Sequence, residues 1–248
     1  PENAMNNYWD FWRLKWNMQH AGNQYPTHGL GPIALDMDIN RGDRFDFLVS
    51  VDSKQAGFRD YAAAEFGADS WKAKVMPKMA DMNSTLIRTV KGRSILVQHC
   101  VGTCRPYDRL NLIQGTRGIL QGYPYRCAFE TKAGEGVHEY DGKFAAEAMQ
   151  KYKHPLWQQA GEIAKKVGGH GGMDFMMILK LAYNLQLGRP VDNDVYDLAS
   201  WCSICELSEL SATSRGRSMD IPDFTRGGWE TAAPLPIEGV DLAQMGLA

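Results

Sequence analysis

The sequence predicts an α+β fold, in which an open and mostly antiparallel sheet carries helices on one face. Two observations lead to this prediction. Segments with the alternating period of β-strands fill the middle third of the 248 residues. Segments with a helical period follow from residue 142 onward. Strands and helices therefore form successive runs and do not alternate, which is the pattern of α+β folds.

The strands are predicted from this alternation and from the turns that separate them. Residues 44–52, RFDFLVSVD, have the period of a strand, and residues 56–67 form a helix that a glycine closes. The segment NSTLIRTVKGRSILVQH indicates a hairpin with its turn at residues 91–93. A second hairpin turns at residues 115–118. We expect the two hairpins to form one antiparallel meander.

The helices after residue 142 are KFAAEAMQKY, PLWQQAGEIAKKVG, MDFMMILKLAYNLQLG and NDVYDLASWCSICELSELSAT. In the third of them, apolar residues recur at helical spacing and are expected to face the core: Phe175, Ile178, Leu179, Ala182 and Leu185. The glycines of GGHGGMDF let the backbone pass close to a neighbour, with His170 or Asp174 capping the helix that follows. We expect residues 1–231 to form one domain and residues 232–248 a tail that is loosely ordered or docked elsewhere.

Composition and charge exclude several classes of protein. The chain has 27 basic and 29 acidic residues, so its net charge of −2 creates no field that attracts nucleic acid or anionic lipid. No apolar run approaches the roughly 18 residues that a membrane span needs, which predicts a soluble protein. The chain opens PENAMNNYWDF, without an initiator methionine or a signal-peptide pattern, which indicates a processed or truncated product.

The five cysteines do not have the spacing of a disulfide framework. Cys202 and Cys205 form a C-x-x-C within a predicted helix, and no second pair accompanies them. We expect both to be small buried hydrophobic residues and not ligands of zinc.

The segment NQYPTHGLGP, residues 23–32, is the strongest candidate for chemistry. Proline is favoured in the first turn of a helix, so Pro32 predicts a short helix over residues 29–40. Tyr25 and His28 would then lie just before a helix N-terminus, where backbone N–H groups favour an anionic group. Histidine titrates near neutrality and suits general acid–base catalysis. The alternative is a Tyr-Pro turn with a structural histidine that caps the next helix.

Arg13, Lys15 and Tyr107 are supporting polar candidates. Arg13 lies in the aromatic segment YWDFWRLKW, where it would bind a carboxylate or a sugar hydroxyl or amide, or else stack on a tryptophan. Tyr107, in RPYDR, would reach a ligand hydroxyl over the sheet or simply end a strand. The chain has neither a G-x-G-x-x-G after a strand nor a phosphate-binding P-loop.

Seven blocks in this order resemble glycoside hydrolase family 109: WRLKW with GNQYPTHGLGPIA, INRGDRFDFLVSV, TLIRTVKGRSILVQH, RPYDR, GGHGGMDF, DNDVYDLASW and IPDFTRGGW. This family contains NAD-dependent α-N-acetylgalactosaminidases within the wider glucose–fructose oxidoreductase-like group. The resemblance implies a two-domain enzyme of which this chain is the C-terminal domain. The NAD-binding Rossmann domain would lie upstream, so the isolated chain is expected to be inactive.

The resemblance also implies a mechanism and a set of site residues. NAD⁺ takes a hydride from C3 of the sugar, the C2 proton is lost, the glycosidic oxygen leaves, water adds, and the hydride returns, so that NAD is recycled. Tyr25 and His28 would handle protons, and Tyr25 would also touch the cofactor. The implied substrate contacts are Arg13, Tyr25, Pro26, Thr27, His28 and Tyr107.

Three positions depart from the family pattern and flank the expected sugar pocket. Trp16 stands where a histidine is common, and Cys100 replaces an aspartate after QH. Cys104 belongs to GTC, which replaces a Thr-Ser-Pro-like sequence before RPY.

Two other functions are compatible with the sequence: an NAD(P)-dependent sugar or inositol dehydrogenase that stops after hydride transfer, and a non-catalytic module that dimerises through its sheet. The expected partners are a small glycoside and a second copy of the chain bound through the open sheet. The resemblance implies twin-arginine export to the periplasm or the exterior, and the chain is otherwise expected in the cytoplasm.

Overall fold

The computed structural model describes residues 9–122, 124–130, 132–140 and 142–247, and it divides into two compact units. The first unit comprises Pro1–Asp108 and Val195–Pro234, and the second comprises Arg109–Asp194 and Leu235–Ala248. Helices and antiparallel strands occur in both units, which confirms the α+β prediction. The domain boundary at residue 231 stays a prediction.

The first unit is built on an antiparallel sheet with strand order β3-β2-β1-β7. Its strands are β1 (Phe45–Asp52), β2 (Met82–Thr89), β3 (Ser94–Cys100) and β7 (Met219–Asp220). In the register, Leu48 lies opposite Ile87, and Ile87 lies opposite Ile95, so that apolar side chains meet on one face. The predicted first hairpin is confirmed, and its turn contains Gly92 at a φ of 84°.

Two helices, α2 (Thr27–Asp36) and α8 (Val195–Thr213), cover that face of the sheet. Leu30 and Ala34 of α2 and Ile204 of α8 are buried against the strands. The buried strand residues of this core include Phe45, Leu48, Ile87, Ile95 and Val97. The opposite face presents exposed apolar side chains, among them Leu86 and Leu96.

The remaining helices of the first unit are α1 (Trp12–Gln19), α3 (Gly57–Phe66) and α4 (Trp71–Lys74). Leu14 of α1 is buried against Phe58, Ala62 and Ala73, which fixes α1 on the other two helices. The predicted helix at residues 56–67 is confirmed, and Gly67 closes it with a φ of 85°.

The second unit contains a separate sheet with strand order β4-β5-β6 and three helices. Its elements are β4 (Leu112–Gly115), β5 (Gly118–Gln121), β6 (Arg126–Phe129), α5 (Gly142–Lys151), α6 (Pro155–Val167) and α7 (Met173–Gln186). The segment that follows Pro234 docks on these helices, because Val240 is buried with Ala160, Ala164 and Tyr183. The Val240 N–H also donates to Gln159 Oε1 at 2.7 Å.

The expectation of one continuous meander is wrong, since the two hairpins lie in different sheets. Each hairpin is a local structure that its own turn specifies, whereas local sequence does not specify how two hairpins join. The α+β class is confirmed, but the strands form two separate sheets, one in each unit.

The predicted core stripe of α7 is only partly correct. Leu179 is buried, but Ile178 and Leu185 are exposed. The buried face also includes Lys180 and Asn184, which hydrogen-bond to Glu238 and Asp192. Since α7 is apolar on nearly every side, the periodicity of its sequence could not show which face is buried. Lys180 and Asn184 can lie on the buried face because each has a hydrogen-bond partner there.

Two smaller expectations are also corrected. Cys202 is exposed and Cys205 is half-buried, because the buried face of α8 runs through Trp201, Ile204 and Ser208 instead. Burial, and then the neighbouring Cys202 thiol, raises the pKa of the Cys205 thiol to about 11. All the cysteines lie within the described ranges, and no disulfide joins any two of them.

The cap predicted for α7 is absent. Gly172 occupies the N-cap position without a side-chain hydrogen bond, and His170 pairs instead with Asp174 at 3.0 Å. The glycine prediction itself is confirmed, because a Cβ on Gly172 would lie 2.7 Å from the backbone of Ala164. Among the described helices, none combines the length and apolarity that a membrane crossing requires.

Candidate active site

The segment that carries Tyr25 and His28 leads into α2, which begins earlier than predicted. Pro26 is the N-cap residue, and its carbonyl accepts hydrogen bonds from the N–H groups of Gly29 and Leu30 at 3.1 and 2.8 Å. Thr27 and His28 are therefore the first two helical residues and do not precede the helix. Pro32 lies inside α2 and not in its first turn.

The early start of α2 has a physical reason. A proline inside a helix removes the hydrogen bond to the carbonyl four residues before it, which here is that of His28. Only this one bond is lost, while Leu30 and Ala34 on the same helix are almost completely buried against the sheet. Tertiary burial therefore lets the helix begin at Thr27, two residues before the predicted start at residue 29.

Tyr25 and His28 form a stacked pair at the start of α2. Their ring centroids are 4.7 Å apart with an interplanar angle of 26°, and Tyr25 Oη lies 3.5 Å from His28 Nε2. Tyr25 is 45% exposed, and His28 is also exposed. Since Pro26 occupies the N-cap position, His28 is not placed to cap the helix. The stack therefore presents a phenol and an imidazole to solvent side by side.

Arg13 extends this stack from α1. Its guanidinium carbon lies 5.2 Å from the ring centroid of Tyr25 and 4.8 Å from that of Trp12. Both distances are within the range of cation–π contact, so the stacking alternative for Arg13 is observed. The burial of Leu14, the next residue, holds α1 in this place. Arg13 of α1, His28 of α2 and Tyr25 of the segment before α2 are thus brought together.

The other predicted residues lie in α1, at the start of α2 and on the segment after β3. Pro26 is buried and Thr27 is half-buried in the first turn of α2. Tyr107 lies on the irregular segment after β3, with its side chain 74% exposed. Lys15 pairs with Asp10 at 2.9 Å on the surface of α1. The substrate contacts assigned to Pro26, Thr27 and Tyr107 stay predictions.

His99 is a further polar residue near this site that the sequence did not single out. It lies on the helix-covered face of β3, two residues after Val97, which approaches Gly29 of α2. Neither ring nitrogen of His99 is accessible or has a hydrogen-bond partner among the described residues. Burial, and then the positive charge of Arg13, lowers the pKa of His99 to about 4. Its only sequence signal was its place at the end of a predicted strand.

Two of the positions that depart from the family pattern have defined contacts. Trp16 donates its Nε1–H to Gln24 Oε1 at 3.2 Å, and its ring stacks on that of His20 at 3.9 Å. It therefore touches the residue that directly precedes Tyr25. The sulfur of Cys100 lies 2.7 Å from Thr103 Oγ1, and Cys104 is exposed.

Comparison with known proteins identifies the family. The family model described as "Glycosyl hydrolase 109, C-terminal domain" matches residues 2–231. The chain belongs to glycosyl hydrolase family 109. Among family 109 proteins, a protein of Shewanella sp. strain ANA-3 is 50% identical over 228 residues, and one of Shewanella woodyi is 48% identical over 235 residues. Each alignment covers 92% of this chain and 50% of the relative.

The chain therefore spans about half the length of the curated family 109 relatives that it matches. Solved structures that resemble it include an inositol dehydrogenase homologue of Azotobacter vinelandii complexed with NADH and myo-inositol, at 16% identity and a TM-score of 0.45. That alignment covers 84% of this chain and 52% of the homologue. A levoglucosan dehydrogenase complexed with NADH and levoglucosan matches at 16% identity and a TM-score of 0.43, over 72% of this chain and 45% of the dehydrogenase. Membership of family 109 supports a glycosidase-type function.

Proposed function

We propose that this chain is the sugar-binding part of an NAD-dependent α-N-acetylgalactosaminidase, which cleaves its substrate by oxidation, elimination, addition and reduction. The observation that carries the proposal is the exposed stack of Tyr25 on His28 beside the Arg13 guanidinium. It places two groups able to exchange protons next to a cation, within a chain of family 109.

The proton transfers belong to Tyr25 and His28. Once C3 of the sugar is a ketone, the C2–H bond is acidic, and a neutral imidazole at His28 accepts this proton as the C1=C2 bond forms. The C1–O bond breaks in the same step, and the phenol of Tyr25 donates its proton to the departing oxygen. Water then adds its hydroxyl to C1 and returns a proton to Tyr25, while His28 returns its proton to C2. The 3.5 Å separation of Tyr25 Oη and His28 Nε2 is long for a hydrogen bond, and such contacts often tighten when substrate binds.

Arg13 positions the substrate in this proposal. Its side chain is half-buried and lies over the ring of Tyr25, so the guanidinium can donate to a sugar hydroxyl or to the amide oxygen of the N-acetyl group. Because an arginine remains charged at every relevant pH, it also favours the negative charge that develops when the C2 proton leaves.

The cofactor assignment rests on family membership and on the exposure of Tyr25. NAD⁺, when bound, supplies the acceptor for the C3 hydride and later returns that hydride. The phenol of Tyr25 is accessible and fits a contact with such a ring. The sequence has no dinucleotide-binding glycine fingerprint, so we assign most of the NAD contacts to the other half of the full-length protein. The present chain alone is expected neither to hold NAD tightly nor to turn over.

The test uses the full-length protein with a nitrophenyl α-N-acetylgalactosaminide. We expect nitrophenol release without net formation of NADH. His28→Ala should lower kcat by about 10²- to 10⁴-fold, the usual contribution of a general acid or base, while NAD remains bound. His138→Ala, which changes an exposed imidazole in the second unit, is the matched control and should keep wild-type kcat.

Two results would contradict the proposal. Turnover of His28→Ala close to that of the wild type would remove His28 from the chemistry. Stoichiometric NADH formation from a free polyol, without cleavage of the glycoside, would identify a dehydrogenase instead.

A further inference from the structure

The loop that precedes Tyr25, residues 20–24, lies directly against α8. Gly22 has a φ of +73°, and a Cβ on it would lie 2.6 Å from the backbone nitrogen of Glu209. Only glycine combines this conformation with so close an approach. Gly22 and Glu209, which are 187 positions apart in sequence, are thus packed backbone against backbone. Gly22 lies shortly before Tyr25 and His28, the proposed catalytic pair.

The carboxylate of Glu209 contacts side chains of this loop and the side chain of Lys78. Its Oε1 accepts from Lys78 Nζ at 2.6 Å, and its Oε2 lies 2.9 Å from His20 Nδ1. Gln24 Nε2 lies 3.5 Å from the same Oε2. Burial raises the pKa of Glu209, but the hydrogen bonds from Lys78 and His20 outweigh it and leave the pKa below its usual value. Glu209 is therefore a charged acceptor at neutral pH.

Hydrogen bonds of the loop connect α8 to the backbone of Tyr25. Asn23 is completely buried, and its N–H donates to Ser208 Oγ, beside Glu209, at 2.8 Å. The side-chain oxygen of Asn23 in turn accepts the backbone N–H of Tyr25 at 3.3 Å. Gln24 donates to the carbonyl of Cys205 at 3.2 Å, so a second loop residue is tied to α8. The backbone of Tyr25 is thus one hydrogen bond away from a buried residue that α8 holds.

We propose that Glu209 is a positioning residue for the reaction: its carboxylate fixes residues 20–24 on α8 and thereby sets the place of the Tyr25 phenol relative to His28 and Arg13. This inference rests on the proposed function. Glu209 acts through His20 and Gln24 and is not itself a catalytic residue. A displacement of about 1 Å at a reacting group can reduce a rate by roughly 10²-fold, so an anchor of this kind matters to turnover.

The experiment compares three variants of the full-length protein, with rates normalised to bound NAD so that only folded sites are counted. Glu209→Ala should lower kcat by roughly 10- to 100-fold and change KM much less. Glu209→Gln keeps one acceptor oxygen of the same reach, which can still meet His20 and Gln24, and should recover part of the lost kcat. Glu206→Ala removes an exposed carboxylate from the same helix and should behave as the wild type. With C2-deuterated substrate, Glu209→Ala should show a larger isotope effect than the wild type, because proton removal is the step that slows.

A second measurement does not depend on the reaction. Amide hydrogen exchange at Asn23 and Tyr25 should be faster in Glu209→Ala and unchanged in Glu206→Ala, because these two N–H groups lie along the anchored loop. The inference is overturned by unchanged exchange, by a kcat of Glu209→Ala equal to that of the wild type, or by Glu209→Gln as impaired as Glu209→Ala. A wild-type protein inactive on the glycoside would refute the proposed function, while the exchange data would still decide the role of Glu209.

Discussion

Two histidines near the Arg13–Tyr25 stack have contrasting surroundings. His28 is exposed at the start of α2, with its ring against that of Tyr25. His99 lies on the covered face of β3, and neither of its nitrogens reaches solvent or a partner among the described residues. An imidazole must be accessible to exchange protons with a ligand, so this contrast supports the acid–base role that we propose for His28, whereas burial keeps the ring of His99 neutral at pH 7.

The neutral state of His99 predicts a pH dependence of stability. Its pKa is about 4 in the folded protein and about 6.5 in an unfolded chain. As the pH falls below about 6.5, the unfolded chain therefore gains a proton that the folded protein does not, and the free energy of unfolding decreases until the pH reaches about 4. At 1.36 kcal/mol for each pKa unit, the loss is about 3 kcal/mol.

Denaturant unfolding between pH 7 and 4 measures this effect. His99→Phe should flatten the decrease relative to the wild type, because it removes the titrating ring. His138→Phe changes an exposed imidazole and should leave the slope as it is. The same slope in His99→Phe and wild type would show that His99 does not couple to folding.

At the scale of elements, the turn between α6 and α7 depends on glycines that have different roles. Gly171 and Gly172 both have positive φ values, 70° and 98°. A Cβ on Gly171 would meet nothing within 4 Å, whereas one on Gly172 would lie 2.7 Å from the backbone carbon of Ala164 in α6. The two positions thus separate the cost of an unfavourable backbone conformation from the cost of a steric clash.

We expect Gly171→Ala to destabilise the protein by about 1–2 kcal/mol, the cost of left-handed backbone in a residue with a Cβ. Gly172→Ala should cost about 1–3 kcal/mol more, because α6 and α7 must also move apart. Urea unfolding of the two variants measures the difference directly. Equal destabilisation would mean that α6 and α7 separate at no cost.

Local sequence predicted most elements but not all of their boundaries or buried faces. Gly67 and Gly92 marked the end of α3 and the first hairpin turn, because their positive φ values are local requirements. The start of α2 was displaced because burial of Leu30, which is a tertiary effect, outweighs the proline signal. The contact between Asn23 and Ser208 joins residues 185 positions apart, so no local pattern could have shown it.

At the scale of the whole molecule, the resemblance to family 109 supported the candidates that local chemistry had indicated, while the division into two units became visible only in three dimensions. Arg13, Tyr25 and His28 were found from their local chemistry, and the family pattern of their sequence blocks then supported the choice. His99 and Glu209 were missed because a lone histidine in a strand and a lone glutamate in a helix have no distinctive spacing. The surroundings of His99 are defined by burial, and the role that we propose for Glu209 rests on partners distant in sequence.

The open face of the first unit's sheet bears on how the whole molecule assembles. On β1, β2 and β3 it presents Val51, Leu86 and Leu96, which are 62%, 46% and 62% exposed. Leu86 and Leu96 lie directly opposite one another in the register, so their side chains form one apolar patch. Exposed apolar patches of this kind are typical of interaction surfaces, and the prediction of a homo-oligomer through the open sheet depends on this face.

We expect the full-length protein to be a dimer that the double variant Leu86→Glu, Leu96→Glu converts into a monomer. Two glutamates would bring four negative charges together across a symmetric interface, and like charges that lose water repel strongly. Light scattering coupled to size exclusion gives the mass in solution. Val167→Glu, which changes an exposed apolar residue at the end of α6, is the matched control and should leave the dimer intact. A double variant that keeps the dimer mass would place the interface on another surface of the protein, and a monomeric wild type would rule out assembly through this sheet.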